Sequence, residues 1–103
     1  MKLSELIKTE DIKIPETDLV ITIKTELSWV DELGLGEIKN EVDRGKFLLE
    51  SVIVNWNLKD DKGDDIPVSK DVLGSLPAKI IYPLSERITE LIKSKQVKKK
   101  TSL

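Results

Sequence analysis

Apolar and polar positions change period several times along this chain, and each change marks an element. The clearest run is Asp18 to Lys24, where Leu19, Ile21 and Ile23 share one side of a period-two alternation. Val20, Ile21, Thr22 and Ile23 are β-branched and suit a pleated surface, so a strand is expected here. Upstream, Ile12, Lys13 and Ile14 also alternate, until Pro15 ends the segment by restricting the residue before it. Leu3, Leu6 and Ile7 suffice for one helical turn.

From Thr25 the period becomes helical. Ser28 is placed to cap a helix starting at Trp29, with Asp31 where a capping-box acid lies. Gly34 and Gly36 are expected to mark its end. A second helix is expected from about Glu37 to Glu50, with Ile38, Val42, Leu49 and, beyond it, Val52 on one stripe. Gly45 lies near that stripe and either admits a close neighbour or divides the helix. Val52, Val54, Trp56 and Leu58 then alternate with Ile53, Asn55, Asn57 and Lys59 as in a strand, although Phe47 to Val54 is also compatible with a longer helix.

The sequence Asp60-Asp61-Lys62-Gly63 has turn chemistry, and the strand reaching Leu58 is expected to pair with a short one through Ile66 and Val68. Pro67 lacks a donor and confines that returning strand to an edge. Ser69 can cap a short turn over Lys70 to Leu73, and Pro77 suits the first turn of a final helix. The core face of that helix is expected at Ile80, Ile81, Leu84, Ile88, Leu91 and Ile92. Pro83 either kinks the helix or marks its true start. The expected fold is a small single α+β domain over residues 1–92, with helices packed on a short antiparallel hairpin and an N-terminal strand, followed by a flexible basic tail at residues 93–103.

Composition narrows the function. At 103 residues, 39% apolar and 35% charged, the chain has room for one modest core. Aromatics are only 4%, so aliphatic side chains must build it. There is no cysteine and no histidine, which excludes disulfides, zinc–thiolate sites and cysteine nucleophiles and removes the commonest general base. The first 15 residues hold no apolar leader core, and no run reaches membrane length, so an intracellular soluble protein is expected. The net charge is −2, but Lys93, Lys95, Lys98, Lys99 and Lys100 follow the last acid, Glu90, which leaves residues 1–92 at −7. So acidic a body repels nucleic acid. The lysines of the tail could touch phosphate, membrane or an acidic partner, and a solvated terminus is the simpler account of them.

The acidic loop invites a metal or catalytic reading. An EF-hand register counted from Gly63 puts Leu58 at the first ligand position and Lys62 directly before the glycine, so the pattern fails. Asp60, Asp61, Asp64 and Asp65 could still gather an ion weakly, but they sit on a charged tip with no histidine or cysteine to pair with, and no motif supports Lys–Ser or Lys–Tyr chemistry, so neither a catalytic site nor a cofactor is expected. The turn is expected to present a surface.

The segment from residue 52 to 92 resembles a known family. Trp56, Asn57, Asp60, Asp61, Gly63, Pro67, Val68, Leu76 and Pro77 stand in the order seen in tail assembly chaperones and related small tail proteins of long-tailed bacteriophages. Lys59 stands where that family often has threonine, and the lysine-rich end departs from its pattern. The resemblance implies a non-enzymatic assembly protein of the host cytoplasm that binds the tape-measure protein and tail-tube subunits. It also allows a homo-oligomer. The binding residues are then expected among apolar side chains beyond the needs of the core: Trp29, Leu33, Leu35, Phe47 and Tyr82. Two other classes remain open: a self-associating virion component, such as a small head–tail connector or tail subunit, and a small regulatory module using its lysines on nucleic acid.

Overall fold

A computed structural model describes the backbone of residues 1–101 and the side chains of residues 1–92. The expected loose tail at residues 93–103 falls on side chains outside that range. Among the described residues the elements run α1 (Leu3–Leu6), β1 (Thr9–Lys13), β2 (Val20–Lys24), α2 (Trp29–Glu37), α3 (Glu41–Val52), β3 (Ile53–Trp56), α4 (Lys70–Ser75) and α5 (Ala78–Thr101). This is an α+β domain, with the helices gathered about one antiparallel sheet of order β1-β2-β3.

Strand alternation decides which face of the sheet is core. Ile21 and Ile23 are fully buried, and across the ladder Ile12 pairs with Ile21 and Glu10 with Ile23. The opposite face carries Asp11, Thr22 and Asn55, where Thr22 Oγ1 donates to Asp11 at 2.7 Å. Such a sheet is apolar on one side and wet on the other, as antiparallel sheets commonly are. Helix α5 supplies the cover. Ile80, Leu84, Ile88 and Ile92 recur every fourth residue and are all buried, in one cluster with Ile14, Ile21, Ile23, Val52, Ile53, Trp56 and Leu73. Each such aliphatic burial is worth roughly 1.5–3 kcal/mol, so this cluster is the main source of stability. The two candidate fates of Pro83 resolve simply: it sits inside an uninterrupted helix, one backbone bond short.

The expected alternation through β3 breaks. Ile53 and Trp56 are buried, while Val54 and Asn55 between them are exposed. The register shift explains it: Asn55 pairs with Thr22 but Ile53 pairs with Ile23, so Val54 is an extra residue, a β-bulge that turns both flanking apolar side chains inward. The returning segment also differs from expectation. Residues 66–68 form no strand; Lys59 and Asp65 make one isolated bridge, and the Ile66 N–H donates to the Leu58 carbonyl at 3.0 Å. With Pro67 in the segment, a longer ladder would lack a donor.

Helix ends follow their caps. Ser28 Oγ accepts from the Asp31 N–H at 3.1 Å, and Ser69 Oγ accepts from the Val72 N–H at 3.2 Å. The second helix begins later than expected because Asn40 caps it, its Oδ1 accepting from the Val42 and Asp43 N–H groups at 2.8 and 3.3 Å. The glycines are also reassigned. Gly34 and Gly36 lie within α2 and do not end it. Gly45 neither breaks α3 nor admits a neighbour, since nothing lies within 4 Å of where its Cβ would stand. The close approach is at Gly34, where Phe47 Cζ lies 2.9 Å from that position.

One ion pair joins the edge strand to the cover. Arg87 on α5 donates to Glu10 on β1 through Nε at 2.8 Å and Nη2 at 2.9 Å. The hydrogen bonds from Arg87 hold the Glu10 carboxyl below its ordinary value of 4.5.

Two predictions follow from local geometry. Gly45→Ala is expected to raise stability by roughly 0.5–1 kcal/mol, through helix propensity with no steric cost. Gly63→Ala, where φ is +84°, is expected to lower it by about 1 kcal/mol or more; paired urea titrations check both signs. Because Glu10 is depressed on folding, its contribution is present above the unfolded carboxylate value and is lost as pH falls through the folded one. Glu10→Gln is therefore expected to lower the thermal midpoint modestly at pH 7, and the gap to the parent chain should close in a pH series taken below 4.5; the pair is exposed, so salt should narrow the gap too.

Candidate functional site

Helix α2 is oriented by a single stripe. Asp31, Gly34, Leu35 and Ile38, spaced at i, i+3, i+4 and i+7, are the residues of the helix and its C-cap that are withdrawn from solvent. Arg44 on α3 secures this face, its Nη1 donating to the Leu35 and Ile38 carbonyls at 3.0 Å each. Asp31 lies 3.5 Å from Lys24 Nζ, so its carboxylate serves an ion pair to β2. The opposite face is left outward with Trp29 75% exposed, Val30 66% and Leu33 55%.

The five residues expected to bind protein therefore separate. Trp29 and Leu33 come together on the outer face of α2. Tyr82 is also exposed, on α5, in a different setting lined by Ser85, Glu86, Thr89 and Glu90. Leu35 is corrected: at 4% exposed it belongs to the interior. It stands two residues from Leu33, about 200° around the helix, so the two leucines cannot share a face. Phe47 is corrected as well, since its ring is half-buried against Gly34. Val30 was missed, although its place three residues before Leu33 on the same helix could have found it. Leu3, Leu6 and Ile7 of the N-terminal segment are exposed too. Leu6 and Ile7 share a depression of about 190 Å³ with Lys8, Lys24, Glu26, Leu27 and Ser28.

A second depression, about 580 Å³, lies between α3, α4 and the start of α5. Leu49, Leu73, Leu76 and Ile81 line it together with Lys46, Glu50, Lys70 and Asp71. Lys70 lies 3.5 Å from Glu50. The charges of this groove balance, and they offer no preference for a partner's sign.

The acidic turn is structural. Asp60 Oδ1 accepts from the Lys62 and Asp64 N–H groups at 2.8 and 3.0 Å, and Asp65 pairs with Lys59. Among the described residues no three acidic side chains gather as a metal-ligand set. The tryptophan–asparagine pair before the turn is likewise occupied. Trp56 Nε1 donates to the Ile66 carbonyl at 2.7 Å. Asn57 donates through Nδ2 to the Asp18 carbonyl at 2.9 Å and accepts at Oδ1 from the Val20 N–H at 2.8 Å.

Trp56→Phe keeps most of the ring but strands the Ile66 carbonyl; it is expected to cost about 1–3 kcal/mol in a chemical denaturation curve. Comparison with models of protein families, with curated proteins and with solved structures returns no match for this chain.

Proposed function

We propose that this chain is a non-enzymatic assembly factor that binds a protein client through the outer face of α2. The carrying observation is the exposure of Trp29, Val30 and Leu33 side by side, in a chain with only two tryptophans, of which the other, Trp56, is buried among aliphatics in the core. A small domain that leaves a tryptophan in water forgoes contact area that its own core could use. Aromatic anchors flanked by aliphatics are what protein interfaces use as hot spots. The resemblance of residues 52–92 to tail assembly chaperones of long-tailed bacteriophages supports the same reading and names a client, the tape-measure protein. The apolar contact would shield part of a long helical chain, and the acidic body would keep the pair in solution. The Trp56, Asn57 and Asp60 positions of that resemblance hold the scaffold together, so the binding work falls to other residues.

Co-expression with an amphipathic tape-measure fragment tests this. The soluble yield of the fragment is expected to rise severalfold with the chain and to fall back with the double variant Trp29→Ser, Leu33→Ser, whose circular dichroism stays native because both positions are exposed. Equal yield without the chain overturns the proposal. Light scattering that finds only a closed ring of the chain, with no bound fragment, favours a self-associating virion component instead.

A further inference from the structure

The apolar face of α2 is set in an acidic surround, and this bears on what can dock there. Residues 25–43 hold six carboxylates, Glu26, Asp31, Glu32, Glu37, Glu41 and Asp43, against one lysine, Lys39, for a net of −5. Lys24 and Arg44 flank this stretch and keep their charge, Lys24 paired with Asp31 and Arg44 turned onto backbone carbonyls at the end of α2, so residues 24–44 together carry −3. Glu37, Glu41 and Asp43 are exposed where α2 passes into α3. Glu37 follows Leu33 by four residues on the same helix, so an exposed carboxylate continues the apolar row of α2. Gly36 adds relief. It follows Leu33 by three residues, and nothing lies within 4 Å of where its Cβ would stand, so a partner can approach the helix closely there.

We propose that this surface takes a basic amphipathic helix. Its apolar residues, at three- and four-residue spacing, seat on Trp29, Val30 and Leu33. Its lysines or arginines face Glu37, while Glu41 and Asp43 at the start of α3 add longer-range attraction. The charge sets the sign of the partner and speeds encounter, while the apolar contact supplies the residence time. The same field disfavours an acidic helix, an RNA or an anionic membrane. This inference rests on the reading of α2 as a protein-binding face and adds the chemistry of the partner.

Two synthetic helical peptides test it, identical in their leucine pattern and differing only in lysine or glutamate at the flanking positions. Fluorescence anisotropy of the labelled peptides against the full chain is the measurement. The lysine peptide is expected to bind roughly tenfold or more tightly than the glutamate peptide, and to weaken as salt is raised. Trp29→Ala is expected to reduce its affinity by roughly tenfold or more. The triple variant Glu37→Gln, Glu41→Gln, Asp43→Asn should shrink the preference between peptides while leaving the circular dichroism native. Equal affinity for the two peptides, both sensitive to Trp29→Ala, overturns the charge assignment but leaves the client-binding role standing. Binding of the lysine peptide that ignores Trp29→Ala overturns the α2 site itself, since diffuse attraction to an acidic body would then explain it.

Discussion

Two adjacent side chains, Trp56 and Asn57, tie three segments together beyond what the backbone ladder alone supplies. Trp56 sits at the end of β3 with its ring in the core, and its single donor fixes the segment returning from the acidic turn. Asn57 reaches the other way and clasps the start of β2 through both ends of its amide. A buried indole N–H without a partner costs far more than a hydrogen bond returns, so the ring can be buried only if the returning segment lies where it does. The path of the chain into α4 and α5 depends on that placement. With α5 displaced, the apolar face of the sheet would lose its cover.

A second constraint orients the site. Helix α2 carries apolar residues on more than one side, and a helix of this length can bury only one stripe against a small core. The stripe that wins is the one through Gly34 and Leu35. There the missing Cβ lets the Phe47 ring come close, and Arg44 adds a donor to the Leu35 carbonyl, which also accepts from the Ile38 N–H, and to the Ile38 carbonyl. Exposure of Trp29, Val30 and Leu33 is the consequence. The candidate surface is thus the complement of a packing decision, which ties function to stability: a substitution that let α2 rotate would hide the tryptophan and expose Leu35.

Much of the framework was legible in the residues. The strand through Ile21 and Ile23, the caps at Ser28 and Ser69, the turn at Gly63 and the buried stripe of the last helix all follow from local chemistry, and local chemistry is what a sequence displays directly. The misreadings share one cause. Gly45 and Gly34 look alike as letters, and only the approach of Phe47 distinguishes them. Val54 reads as one more alternating apolar residue, yet the ladder skips it, because register is settled by the partner strand. Leu33 and Leu35 are equally apolar, and which one faces water depends on α3.

By itself, then, the chain of residues determined where most elements form, which faces of the strands and of α5 are apolar, the absence of thiol and imidazole chemistry, and the acidic balance around α2. These are properties of composition, of period and of neighbours a few positions apart. The tertiary structure alone decided the bulge at Val54, the two clasps of Asn57, and the choice of Trp29, Val30 and Leu33 over Leu35 and Phe47 as the open apolar surface. Each of those depends on contact between segments distant in sequence, where the space left by one side chain sets the orientation of another.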